Sequence, residues 1–210
     1  MNKFLIALLL LSGFLASAQP AGYSPLKDAA GFQAKFSEAS RRIESIESDF
    51  TQVKNLAMLK DKISSKGKFY YKKANKVRIE YLKPYSYLMV LNNNDMKVQD
   101  EQKTSNYNTR SNKIMQSVNT VMLDCMRGTV YSNRDFSTAV YEGSKDYLLL
   151  LMPTASVVKK LFARIEVYLD KNSYDVLRLN MVENGGDNSL MSFHNRVMNK
   201  TLDDALFRTN

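Results

Sequence analysis

Cysteine occurs once in this chain, at Cys125, and histidine once, at His194. A lone cysteine excludes an internal disulfide, so an apolar core must hold the fold together. Set among apolar residues at helical spacing, the Cys125 thiol reads as packing rather than as a reactive group. The single histidine has Ser192 two residues before it but no acidic partner close in sequence, and the chain lacks a G-x-S-x-G nucleophile elbow. One His, one Cys and no calcium-loop pattern give no metal-ligand spacing. Glu44, Glu47 and Asp49 cluster where a helix passes into a strand, and they form a solvated face more simply than a glycosidase-like carboxylate pair. Little in the chain supports an enzyme, and no cofactor or metal is expected.

Long apolar runs are equally scarce. Lys3, the apolar stretch Phe4 to Leu11 and the small residues Ala16-Ser17-Ala18 have the form of a cleaved export signal over residues 1–18, leaving 19–210 as a single domain. No later stretch is long enough to span a membrane, and no internal repeat or low-complexity linker divides the chain. An exported monomer is expected. The formal charge of +9 falls to +8 when Lys3 is removed, which suits anionic surfaces such as lipid headgroups or an acidic partner. The basic residues Lys66, Lys68, Lys72, Lys73, Lys76, Arg78 and Lys83 are scattered through strands and turns with no basic helix or zinc-finger spacing, so nucleic acid is not expected as a partner.

What the chain does contain is strand pattern. In Val77 to Tyr81 the apolar residues Val77, Ile79 and Tyr81 alternate with Arg78 and Glu80, and after Pro84 the run Tyr87 to Leu91 is apolar throughout. Ile46, Ser48, Phe50 and Gln52 share one side of an earlier strand. Further strands are expected at Ile63 to Lys72, Met96 to Asp100, Thr104 to Tyr107, Phe136 to Tyr141, Tyr147 to Met152, Arg164 to Leu169, Val176 to Glu183 and Ser189 to Val197. Tight turns join them, including Lys60-Asp61-Lys62, Lys73 to Lys76, Asn92-Asn93-Asn94-Asp95 and the hairpin loop Asn184-Gly185-Gly186-Asp187, so neighbours are antiparallel.

Two segments carry helical periodicity. Ser24 as cap and Pro25 at the first position open a helix running to about Ile43, with Ala29, Phe32, Phe36, Ala39 and Ile43 on one stripe. Asn112 to Arg127 places Ile114, Val118, Val121, Met122, Cys125 and Met126 on one face and ends at Gly128. A short helical turn is expected at Ala155 to Phe162. Many short strands with few helices predict a mainly β fold: a curved antiparallel sheet or unclosed barrel with helices on its concave side. Eleven methionines supply adaptable apolar surface, and such a half-barrel capped by an amphipathic helix is a container for acyl chains.

The order of several short motifs resembles the periplasmic outer-membrane lipoprotein carriers, the LolA-like family. They are Ile46-Glu47-Ser48-Asp49-Phe50-Thr51-Gln52, Gly67-Lys68-Phe69-Tyr70 leading to Lys76-Val77-Arg78-Ile79-Glu80-Tyr81 and Pro84, Leu149-Leu151-Pro153 before a Lys-rich turn, and the closing Asn199 to Phe207. The resemblance implies an unclosed barrel with a helical lid over a hydrophobic cavity. It implies a carrier that receives the acyl chains of lipoproteins from an inner-membrane ABC transporter and passes them to an outer-membrane acceptor or membrane surface. The alternative within the class is a protein for another acylated lipid, or a lipoprotein sensor. The cavity residues expected on this basis are Phe36, Ile43, Phe50, Val77, Ile79, Tyr81, Leu88, Val90, Val118, Met122 and Met126. Lys73 and Arg78 are expected at the lid, with Lys73-Ala74 standing where the family often has a basic residue followed by Pro. Lysine keeps the charge there but lacks the bidentate fork of arginine.

Overall fold

The computed structural model describes residues 19–58, 61–111 and 113–210 of the chain, without the side chains of residues 113–115 and 118. The expected export signal, the first residue of the expected Asn112 to Arg127 helix and the turn position Lys60 lie outside the described residues.

Among the described residues, twelve strands form one antiparallel sheet. In chain order they are β1 (Tyr23–Pro25), β2 (Ser45–Leu56), β3 (Asp61–Lys72), β4 (Lys76–Lys83), β5 (Tyr87–Asn92), β6 (Asp95–Asp100), β7 (Thr104–Asn108), β8 (Phe136–Gly143), β9 (Asp146–Pro153), β10 (Phe162–Asp170), β11 (Val176–Glu183) and β12 (Asn188–Met198). Three α-helices accompany them: α1 (Ala29–Arg41), α2 (Lys113–Arg127) and the one-turn α3 (Ser156–Lys159). The sheet order is β1-β8-β9-β10-β11-β12-β2-β3-β4-β5-β6-β7. Nearly every neighbour is a hairpin partner. β12 returns beside β2 and joins the two runs, and β1 and β7 stay unpaired edges, so the barrel is unclosed, as expected.

The start of the chain departs from expectation. Tyr23–Pro25 is a strand on β8, with the Tyr23 hydroxyl donating to Asp146 at 2.6 Å, and the helix begins only at Ala29. Asp28 caps it, its carboxylate accepting from the Gly31 N–H at 2.8 Å. Pro25 serves an edge strand, where the missing N–H costs no ladder bond, and with Ser24 drawn into that strand Asp28, a cap of the same rank as Ser, starts the helix. The first hairpin turn also falls earlier, since Asp61 and Lys62 already pair with Leu56 and Asn55.

The two helices divide the concave face between them. Phe32 and Phe36 of α1 and Val121 and Cys125 of α2 pack on β8 to β11 with Leu149, Leu151, Ile165, Val167 and Leu169. On the other half, Leu123 and Met126 of α2 meet Ile46, Phe50, Phe69, Tyr71, Val77 and Leu91. Helix α2 therefore spans both halves of the core. Gly128 ends it at φ +68, and a Cβ there would stand 2.8 Å from the Ser37 Cα of α1, so the helices meet where only glycine fits. On the outer face, Leu202 and Phe207 of the C-terminal segment cover Val90 of β5. Asp204 fastens this segment through Lys72 and Lys76, both at 2.8 Å, and these hydrogen bonds hold its carboxyl down to about 2.

Candidate functional site

Period-two alternation decides what each strand sends inward. Facing the concave side are Phe69 of β3, Ile79 and Tyr81 of β4, Met89 of β5, Ile165 and Val167 of β10, Leu179 and Met181 of β11, and Met191 and Phe193 of β12. Helix α2 closes the space with Asn119, Val121, Met122, Cys125 and Met126. Together they enclose an almost wholly apolar cavity of about 170 Å³. A smaller chamber of about 20 Å³, lined by Ser40, Ile43, Ser48, Asp175, Arg196 and others, shares Phe69, Cys125, Met126, Val176 and Phe193 with it.

Size limits what this closed state accepts. An engineered apolar cavity of about 150 Å³ in another protein stays dry and binds a benzene-sized guest. A space of 170 Å³ is thus well short of an acyl chain, which would fit only if the wall moved. The wall suits movement, because five of its residues are methionines: Met89, Met122, Met126, Met181 and Met191.

The expected cavity residues separate into distinct layers. Ile79, Tyr81, Met122 and Met126 line the main cavity, and Ile43 lines the small chamber. Phe36, Phe50 and Val77 are fully buried behind the lining, with Phe50 edge-on to Tyr81 at 5.0 Å between ring centres. Val118 is an expectation whose side chain lies outside the described residues. Leu88 and Val90 are corrected by register. Ile79 pairs with Met89 and Arg78 with Val90, so Met89 points inward while Leu88 and Val90 pack on the outer face near Phe207. A strand apolar at every position gives no sign of which set faces in, and only its pairing with β4 decides.

The two expected lid residues are also placed elsewhere. Arg78 lies on the outer face, paired with Glu80 at 2.9 Å and donating to the Leu206 carbonyl at 3.3 Å, so it holds the C-terminal segment. Lys73 bonds Glu44 at 2.5 Å and the Arg41 carbonyl at 3.4 Å, tying the β3–β4 turn to the end of α1 and not to α2. In that turn Ala74 has φ 69, where proline, locked near −65°, does not fit. The backbone of this turn therefore has no place for a proline at position 74. At the end of α2, burial raises the Tyr71 pKa and the Arg127 guanidinium beside it pulls the other way, which puts Arg127 against the sheet.

Other titratable groups have structural surroundings. His194 is exposed on the outer face beside Thr51 at 3.1 Å. Glu44, Glu47 and Asp49 each pair with a lysine, Lys73, Lys200 and Lys68 respectively. Burial lifts Cys125 to about 12, which suits a packed thiol. Among the described residues, no group of three or more His, Cys, Asp and Glu could hold a metal ion. No helix among them is long and apolar enough to cross a membrane.

The far wall, β10 to β12, was missed as a lining, although the alternations Ile165/Val167, Leu179/Met181 and Met191/Phe193 mark it. So was Asn119, which stands three and seven residues before Met122 and Met126 on the same face of α2.

Residues 41–210 match the family described as outer membrane lipoprotein carrier protein LolA. The chain belongs to the LolA family. No curated protein matches it. Among solved structures, this LolA-family chain is similar to MucB from the Pseudomonas aeruginosa MucA/MucB complex, with TM-score 0.50 and 12% identity over 87% of this chain and 61% of that one. It is also similar to a LolA superfamily protein from Nitrosomonas europaea, with TM-score 0.48 and 10% identity over 86% and 97% of the two chains. A third is an outer membrane lipoprotein-sorting protein domain from Vibrio parahaemolyticus, with TM-score 0.46, 10% identity and 84% and 94% coverage.

Proposed function

We propose that this LolA-family protein is a periplasmic carrier for the acyl chains of lipoproteins, loading from an inner-membrane ABC transporter and unloading at an outer-membrane acceptor or the membrane surface. The observation that carries the reading is the apolar cavity between α2 and the sheet, walled by five methionines. The family match and the export signal read in residues 1–18 support the same compartment and cargo.

The chemistry asked of the protein is partition. Each methylene taken from water contributes about 0.8 kcal/mol, so a dozen would contribute on the order of 10 kcal/mol. A carrier that kept all of this could not release its load. Separating α2 from the sheet exposes the lining of the closed state, and that cost offsets part of the gain. The result is an affinity high enough to shield chains in water and low enough to hand them on.

The test is capture in cells. A photo-crosslinking residue at position 122, in cells fed an alkyne fatty acid, should trap acylated lipoproteins, and the same residue at position 90 on the outer face should not. Equal labelling at both positions, or none at 122, would overturn the reading.

A further inference from the structure

Two side chains facing this apolar space are polar and buried, and each holds an atom without a hydrogen-bond partner. Asn119 of α2 is 7% exposed, lines the main cavity, and its Nδ2 donates to nothing. Ser48 of β2 is 2% exposed, lines the adjoining chamber, and its Oγ is likewise unpartnered. Their neighbours explain neither. Asn119 interrupts a methionine stripe, and Ser48 stands between Ile46 and Phe50 on the inward face of β2. A buried donor left unmade is costly, and a leucine or alanine would avoid that cost.

We propose that Asn119 and Ser48 receive the carbonyl oxygens of the bound chain, so that the cavity selects acyl esters and amides over plain hydrocarbon. This rests on the acyl-binding reading of the same cavity and names the polar group it recognises. The chemistry fits an acyl linkage specifically. Its carbonyl oxygen accepts a hydrogen bond and brings no charge, which suits a main cavity lined by Phe69, Ile79 and Met191. The two chambers adjoin, with Cys125, Met126 and Phe193 lining both. A site built to hydrogen-bond a ligand group discriminates strongly against an analogue that lacks it, because the site's own donor is then stranded.

The experiment measures displacement of an environment-sensitive apolar dye from the protein by three chain-matched competitors: dodecane, monolauroylglycerol and a lauroyl-capped peptide. The wild-type protein should favour both acyl compounds over dodecane by about tenfold after correction for their partitioning from water. Asn119→Leu should remove most of that preference and leave dodecane displacement equal or stronger. Ser48→Ala, a smaller change that needs no repacking of α2, should weaken both acyl compounds in the same selective way. Whether the ester or the amide is favoured tells a glycerolipid source from a lipidated polypeptide. If dodecane competes as well as the acyl compounds, or if both variants lose all three ligands equally, the carbonyl assignment is overturned while the apolar cavity stands. If no competitor displaces the dye from the wild type, the acyl-binding reading falls and the assignment with it.

Discussion

Ile79 on β4 stands directly opposite Met89 on β5, and both side chains enter the cavity, while one residue further along Val90 turns to the outer face. This register makes two faces of one strand pair separable by mutation. Val90 is fully buried against Leu202 and Phe207, so Val90→Ala should destabilise by about 1–3 kcal/mol and Phe207→Ala by about 3–5 kcal/mol. Neither should change acyl affinity once the protein is folded. Urea unfolding combined with a lipopeptide titration checks both halves, and a binding loss in folded Val90→Ala would place the outer face in the site.

The β3–β4 turn should respond to backbone geometry more than to charge. Ala74 holds φ 69, a left-handed conformation that glycine adopts without strain, so Ala74→Gly should stabilise by about 0.5–1 kcal/mol. Ala74→Pro should disrupt the hairpin, since its ring cannot reach that angle. The Lys73–Glu44 pair is exposed, and Lys73→Ala should leave Tm nearly unchanged. Thermal melts of the three variants decide this, and a large drop for Lys73→Ala alone would restore that residue to lid control.

Gly128 should be the position least tolerant of a small change. It combines a positive φ with a close approach to Ser37 and to the Phe36 carbonyl, so Gly128→Ala should cost at least about 1 kcal/mol and push α1 away from α2. Hydrogen exchange should report the loosening in α1 before the sheet. Unchanged protection in α1 would mean that the two helices do not depend on this contact.

Alkaline pH should unfold the protein through its buried phenols and thiol. Burial raises Tyr81 to about 12, Tyr23 to about 12 with help from the Asp146 hydrogen bond, and Cys125 to about 12 from 9.0. In the window between the ordinary values and 12 the unfolded chain has already released protons that the folded chain retains. It binds fewer protons, so stability falls as pH rises. Urea midpoints should therefore fall steeply between roughly pH 9 and 12, and Tyr81→Phe with Cys125→Ala should flatten the slope.

Strand alternation made most of the sheet legible, because a strand with one buried face writes its orientation into sequence, as Val77, Ile79 and Tyr81 do. The β5 strand could not be oriented that way, since Tyr87 to Leu91 is apolar on both faces and only its partner fixes which side is inward. Arg78 and Glu80 lie two residues apart on one strand face and pair there, but the cover that makes Arg78 structural comes from Leu206, far along the chain. Asn119 was hidden for the opposite reason. Periodicity searches collect apolar residues, and the polar member of a cavity-facing stripe shows itself only when burial and missing partners are seen together.

The central claim is that the space between α2 and the sheet takes acyl chains. Its most direct test is calorimetric titration of the protein lacking residues 1–18 with a triacylated lipopeptide, beside an Ile79→Glu variant. Ile79 is only partly buried and lines the cavity, so a carboxylate there should abolish binding while circular dichroism shows the fold retained. Saturable one-to-one binding by the wild type and none by the variant is the expected result. Absence of lipopeptide binding to the wild type, or equal binding by folded Ile79→Glu, would contradict it.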